Sequence, residues 1–232
     1  MPYGDLSVGV SFNMNGSTPY SYSCGACSRC CEGKAIRVGP YEILRLARLV
    51  GLSTTDFIAA HTTSGGTILK LNEKGDCGFL TEKGCSVHIA RPLACRLYPL
   101  GMLISPDSEY QFGNLAPHPQ TKGTYGHDGT VNEYIEQQGA LPFMEANAKY
   151  AKLYDHMVTV LTLIDPEASG DRQALRDEAD ELGDGTLISD WMDIDLIVPN
   201  ITNLSFETAV EQHIEILTAK VNEIAGSQID FV

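Results

Sequence analysis

Hydrophobic positions recur with a helical period in three stretches of the chain, and capping residues mark two further helices. From Pro40, the residues Ile43, Leu46, Ala47 and Val50 share one face and Gly51 ends the run. Proline at the first helical position and glycine just past the last predict a helix over 40–50. Ser53 is placed to cap a short second helix through His61. Thr130-Val-Asn-Glu133 matches a capping box and predicts a helix to Gln138. Beyond Pro142, Phe143, Ala146, Tyr150, Leu153, Met157, Leu161 and Ile164 repeat at three or four and predict a long helix to Asp165. Phe206, Val210, Ile214, Leu217, Val221 and Ile224 predict a last helix over 205–225. These stripes are core faces, and nothing marks them as a cofactor box.

The front of the chain patterns differently. Residues 7–12 alternate small or polar with apolar and predict a strand, followed by a turn-rich stretch from Asn13 to Pro19. Thr67–Leu71 and Cys77–Leu80 read as strands around the turn Glu73–Asp76. Gly84–Ile89 reads as an extended run and Tyr110–Phe112 as a further strand. Arg91-Pro92 breaks any helix at that point. The fold class expected is α+β: a small cysteine-rich metal-binding domain of short strands and loops over 1–115, packed as one unit on a predominantly α-helical, acidic half over 116–232.

Charge sharpens that division. The net charge is −14 over 232 residues, but the first 115 hold ten basic and nine acidic residues and are close to neutral. So acidic a chain argues against general nucleic-acid binding, which needs basic surface for phosphates. Residues 165–195 carry eleven acidic and two basic residues. This is first a solvated face, and second a docking surface for a protein partner. Apolar runs such as Leu100–Ile104 and Leu196–Val198 are far short of a membrane span. Met1–Asp5 has neither a basic start nor an apolar core, so we expect no secretory signal and a cytoplasmic location.

All seven cysteines lie between Cys24 and Cys95. In a reducing compartment, clustered thiols point to metal or redox work and not to disulfides, and an odd count cannot pair fully. The first cluster is Cys24-x2-Cys27-x2-Cys30-Cys31 and the second comprises Cys77, Cys85 and Cys95. Two residues between thiols let both sulfurs converge on one centre while the intervening amides point at them. Gly25 and Ala26 leave room for that approach. Neighbouring side chains of an extended segment point to opposite sides, so Cys30 and Cys31 could serve two centres, or one could bind while the other stays buried. Arg91 and Arg96 flank Cys95; they either lower thiol pKa values and offset the charge of a thiolate centre, or make salt bridges and cap carbonyls.

One four-coordinate site uses four of the seven thiols, and two such sites need eight ligands. A histidine could supply the eighth. His88 sits within the second cluster, His118 is held between Pro117 and Pro119, and His127 precedes Asp128. His61, His156 and His213 fall in helical patterns and read as surface or packing residues.

At these residues the chain resembles a known family. The first cluster, Asp76-Cys77-Gly-Phe79-Leu80, Gly84-Cys85-Ser-Val-His88 and Arg91-Pro92-x2-Cys95-Arg96-x-Tyr98-Pro99 are similar to the YkgJ-type cysteine-cluster family. The resemblance covers residues 20–115 and extends more thinly through Pro117-His118-Pro119 and Gly129-Thr130-Val131-x2-Tyr134. It implies a zinc- or iron-chelating domain, its members often being described as iron–sulfur proteins; flagellin lysine methylases carry a similar cysteine pattern. Rigidity and resemblance together favour His118 as the eighth ligand. The expected metal set is therefore Cys24, Cys27, Cys30, Cys31, Cys77, Cys85, Cys95 and His118, with Arg91 and Arg96 toward the cofactor.

Three functions follow. Four thiols in eight residues are closer to ferredoxin spacing than to a zinc ribbon, which favours an iron–sulfur cluster of the [4Fe–4S] type with a redox or group-transfer role. The alternatives are a zinc- or iron-chelating protein, with a mononuclear or dinuclear iron site included, and a metal-stapled interaction module. There is no GxxxxGK, GxGxxG or HExxH segment and no nucleophile–base pair, so hydrolase or kinase chemistry has no support. Methyl transfer stays open through the resemblance, without a recognisable cofactor loop.

Overall fold

A computed structural model describes residues 10–104, 110–116, 118–164 and 190–229. The fold is α+β, with short antiparallel strand pairs and a helical C-terminal half. The chain divides into two compact units that take their segments alternately: Met1–Ile36 with Leu71–Pro142, and Arg37–Lys70 with Phe143–Val232.

The first unit contains every cysteine. Its frame is strand β1 (Pro19–Ser23) paired antiparallel with a strand about a hundred residues later, Thr124–Thr130, with Tyr22 opposite Tyr125 and a register shift between Pro19 and Ser21. Helix α4 (Val131–Gln137) lies against both. Thr130 caps it as expected, its hydroxyl accepting the Glu133 N–H while the Glu133 carboxylate accepts the Thr130 N–H. Tyr20 stacks edge-on against Tyr134 at 5.1 Å. A second pair, Leu100–Ile104 with Tyr110–Asn114, is in register from Leu100↔Asn114 to Ile104↔Tyr110. The apolar run 100–104 is thus a strand, and the expected strand at 110–112 is its partner.

Two local expectations fail in this unit, and a third holds with an addition. Val10–Phe12 form no strand, apart from a bridge made by the following Met14 to Phe112; residues 7–9 lie outside the described residues. Gly84–Ile89 is extended over Gly84–Cys85 alone, where it closes a tight hairpin with Leu80–Thr81; His88–Ala90 then turn as a 3₁₀ segment. The Arg91-Pro92 break is real, but Pro92 also starts the short helix α3 (Leu93–Leu97). A proline that ends one element is well suited to begin the next, because it lacks the N–H that a helix start leaves unpaired.

The second unit is helical. Helix α1 (Pro40–Val50) begins with Pro40 in its first turn; the Glu42 carboxylate accepts the Gly39 N–H at 2.8 Å, and Gly51 closes it in the left-handed region at φ 76°. Helix α2 (Thr54–His61) is capped by Ser53, whose hydroxyl accepts the Asp56 N–H. Thr67–Leu71 was expected to pair across the Glu73–Asp76 turn. Instead Ile68–Leu69 pairs with Thr62–Thr63, and across the turn there is one bridge, Leu71↔Cys77. Two residues of strand next to a helix end are anchored by the nearer partner. Helix α5 (Leu141–Ile164) buries Phe143, Ala146, Tyr150, Leu153 and Met157 of the expected stripe. The C-terminal helix Phe206–Ile229 buries Val210, Leu217 and Val221. Leu44, Ile194, Val198, Ile201 and Ala209 form one apolar cluster. Beside it the buried Thr54 hydroxyl donates to Asp193 Oδ1 and accepts the Asp195 N–H at 2.8 Å, so two acidic residues fix α2 against the turn at Ile194–Ile197. Most of the acidic stretch 165–195 lies outside the described residues.

Candidate metal centre

The first cysteine cluster leaves β1 at Ser23 and turns sharply. Ala26 (φ 49°) and Ser28 (φ 61°) both adopt the left-handed conformation, which is costly for residues with a Cβ. The turns serve the sulfurs. Ala26 N–H donates to Cys24 Sγ at 3.4 Å and Lys122 N–H to Cys27 Sγ at 3.5 Å. The amides of Lys122 and then Arg29 hold the Cys27 thiol below its ordinary value, because N–H dipoles favour the thiolate. A Cβ on Gly25 would stand 2.3 Å from the Lys122 carbonyl oxygen. Glycine is therefore required here for the approach of two backbones, not for access to a metal.

Arg29–Cys31 form a 3₁₀ turn. This overturns the expectation that Cys30 and Cys31 face opposite ways. A 3₁₀ turn advances about 120° per residue, so neighbours need not diverge, and their sulfurs are 3.9 Å apart. Cys77 joins them through its N–H, which donates to the Cys31 carbonyl at 2.9 Å. Cys85 comes from the tight hairpin and Cys95 from α3. Cys77 and Cys85 each receive an amide from two residues further on, Phe79 and Val87 respectively. With Ala26 on Cys24 and Arg29 on Cys27, the same local bond recurs at four of the seven cysteines.

Electrostatics separates an inner group from an outer pair. The charges of Cys30, Cys77, Cys85 and Cys95 bear on one another, and Cys31 feels those of Cys30, Cys95 and Cys77. The hydrogen bond with Cys31 comes first in bringing Cys30 down to about 6, helped by Lys34 and Arg91. Cys31 is correspondingly raised, by that same bond and then by burial. Burial raises Cys77 and Cys85, and pushes Cys95 up to about 12. Cys24 is exposed and Cys27 half-buried. No cysteine is in a disulfide. Among the described residues, no three Cys, His, Asp or Glu side chains stand close enough to hold one metal ion as they are. The donor chemistry nonetheless fits a thiophilic centre: five free thiols from three segments, flanked by cations, with four sulfurs of the seven already receiving amide hydrogens.

The two sequence candidates for cations divide. Arg91 donates to the His88 carbonyl and to Gln138 Oε1, and its charge reaches Cys30, Cys85 and Cys95. Arg96 is buried and places its donors on three carbonyls: those of Arg91, Gln138 and Ile89, at 3.0, 2.8 and 2.8 Å. The carbonyl-capping alternative is the one seen for Arg96. The second cation in reach of Cys30 is Lys34, which no spacing singled out; its Nζ sits 4.1 Å from the centre of the Tyr98 ring.

The histidines are placed as follows. His118 accepts the Gln120 N–H on Nδ1, presents Nε2 to Glu32 at 3.8 Å, and donates its own N–H to the Tyr98 hydroxyl. Its ring is thus turned to a carboxylate beside the first cluster; Pro117 lies outside the described residues. His88 is exposed, and exposed His127 lies near the Pro19 carbonyl. In the helical unit, His156 contacts Asn222, while His213 is fully buried with Nδ1 on the Tyr150 hydroxyl.

Residues 23–118 match the family model CxxCxxCC, described as "Putative zinc- or iron-chelating domain", the family that the cysteine pattern resembles. No curated protein and no solved structure matches the chain. No helix among the described residues is long and apolar enough to cross a membrane.

Proposed function

We propose that the first unit is a thiolate metal centre carrying an iron–sulfur cluster, with a redox or group-transfer role. What supports this is the convergence of Cys30 and Cys31, their sulfurs 3.9 Å apart, with Cys77 bonded through its N–H to the Cys31 carbonyl and with Cys85 and Cys95 close enough for their charges to bear on Cys30. Such a set is all-sulfur, the commonest protein ligand set of an iron–sulfur cluster, and contains the four thiolates that one cluster uses. Arg91 and Lys34 offset part of the anionic charge. The amides on Cys24, Cys27, Cys77 and Cys85 supply the N–H···S bonds that tune cluster potentials. When bound, the cluster supplies one-electron chemistry; the protein holds it, shields it and sets its charge balance. Cys24 and Cys27, on the exposed loop, complete the ligand set or bind separately.

A zinc or mononuclear iron centre is the second reading. It is favoured by the 3.9 Å between the Cys30 and Cys31 sulfurs. Two thiolates on one tetrahedral ion, each with a bond of about 2.3 Å, stand about 3.8 Å apart. Protein purified without oxygen decides between them. Iron with a matching amount of acid-labile sulfide, and broad visible absorption, supports the cluster. Zinc, or iron without sulfide, supports the second reading. Protein that takes up neither metal after anaerobic reconstitution overturns both.

A further inference from the structure

We infer that Lys34 is a positioning residue, held on the Tyr98 ring to keep a permanent positive charge at the thiol centre and to tie its two cysteine segments together. This rests on the thiolate-centre reading above. Lys34 follows Cys31 by three residues, and Tyr98 follows Cys95 by three at the end of α3. A contact between them therefore bridges the segment carrying Cys30 and Cys31 to the helix carrying Cys95. The Lys34 ammonium is 4.1 Å from the ring centre, within the range of a cation–π contact.

The ring is itself fixed. The Tyr98 hydroxyl accepts the His118 N–H at 3.2 Å, and its carbonyl accepts the Tyr134 hydroxyl at 2.9 Å. A flexible lysine on a fixed ring gives up its freedom to wander into solvent, so its charge stays near the sulfurs. The field of Lys34 on Cys30 agrees with this placement. Arg91 supplies charge from the other cysteine cluster, anchored on Gln138. Arg96, the nearer cation in sequence to Cys95, gives hydrogens to three carbonyls. The centre is therefore flanked by one cation from each cysteine cluster.

The test compares the full-length protein with Lys34→Met, Lys34→Arg and Tyr98→Leu. Metal-free samples compete for zinc against a chromophoric chelator at fixed pH and salt, and circular dichroism checks that each variant is folded. Lys34→Met keeps the length and removes the charge, and should weaken zinc binding about tenfold, the scale of one nearby charge at an intermediate dielectric. Lys34→Arg should stay within about threefold of wild type, since guanidinium also stacks on tyrosine. Tyr98→Leu should fall between them. Where anaerobic protein carries a cluster, Lys34→Met should also lower its midpoint potential and Lys34→Arg should not. Wild-type-like affinity in Lys34→Met overturns the inference, as does equal loss in Lys34→Met and Lys34→Arg, which would signal packing. Failure of the wild type to bind zinc or iron at all overturns the thiolate-centre reading and the inference with it.

Discussion

The sulfurs of Cys30 and Cys31, on adjacent residues, lie 3.9 Å apart in the same half-buried site. Either thiol can donate to the other, and the hydrogen bond favours one thiolate over two, so Cys30 falls to about 6 while Cys31 is raised. In metal-free protein, alkylation of Cys30 should therefore proceed at neutral pH. Cys31→Ser replaces a thiol partner with a shorter hydroxyl arm and should shift the Cys30 labelling profile upward. Peptide mass spectrometry after iodoacetamide treatment across pH 5–9 reads this directly. Equal labelling of both residues in the wild type would show that the hydrogen bond does not separate the two thiols in this way.

Metal uptake should release protons. Burial holds Cys77, Cys85 and Cys95 in the thiol form at neutral pH, Cys95 up to about 12, while Cys30 is already largely ionised. A thiolate centre built on Cys30 and three of its neighbours should release about three protons per ion at pH 7.5, and binding should tighten as pH rises. Calorimetry of zinc binding in buffers of different ionisation enthalpy gives the count. Release of fewer than one proton would place the bound metal away from the buried thiols.

Gly25→Ala should disturb the centre without touching a ligand. The added Cβ meets the Lys122 carbonyl oxygen at 2.3 Å, against backbone that cannot swing aside. The Cys24–Cys27 loop must shift, and the Lys122 N–H to Cys27 bond is lost with it. We expect Cys27 to become less acidic and metal occupancy to fall, with far-UV circular dichroism close to wild type. Reactivity of Cys27 toward a thiol reagent, followed with pH, is the direct check.

The helical unit should be acid-sensitive through His213. This residue is fully buried; Tyr150 occupies Nδ1, and among the described residues Nε2 has no hydrogen-bond partner. Burial, reinforced by Lys220, lowers it to about 3. The unfolded chain takes up the proton first, so stability is complete above the ordinary histidine value near 6.5 and declines as pH falls from there toward 3. By pH 4.5 the loss should be on the order of 2 kcal/mol. The paired change Tyr150→Phe with His213→Leu removes the titrating ring and its partner together and should abolish this part of the acid dependence, while stability at pH 7.5 changes far less than in Tyr150→Phe with His213 intact. Chemical denaturation at the two pH values provides the comparison.

Local chemistry determined much of this protein from sequence. Pro40 and Gly51 set both ends of α1, Ser53 and Thr130 capped the helices expected of them, and the stripe from Phe143 to Met157 is buried as its period requires. Each signal acts within a few residues, where covalent neighbours alone set the geometry. The cysteine spacing likewise pointed to a metal-binding family, which the match over residues 23–118 bears out. Tertiary structure decided what depends on distant partners. It joined β1 to a strand about a hundred residues away and set the helices of residues 37–70 in one unit with the C-terminal helices. It turned Cys30 and Cys31 to the same side through a 3₁₀ turn whose left-handed lead-in at Ser28 no propensity announces. It gave Arg96 to three carbonyls and brought Lys34 onto Tyr98, a pairing 64 residues apart in the chain that carries no periodicity and that only packing could select.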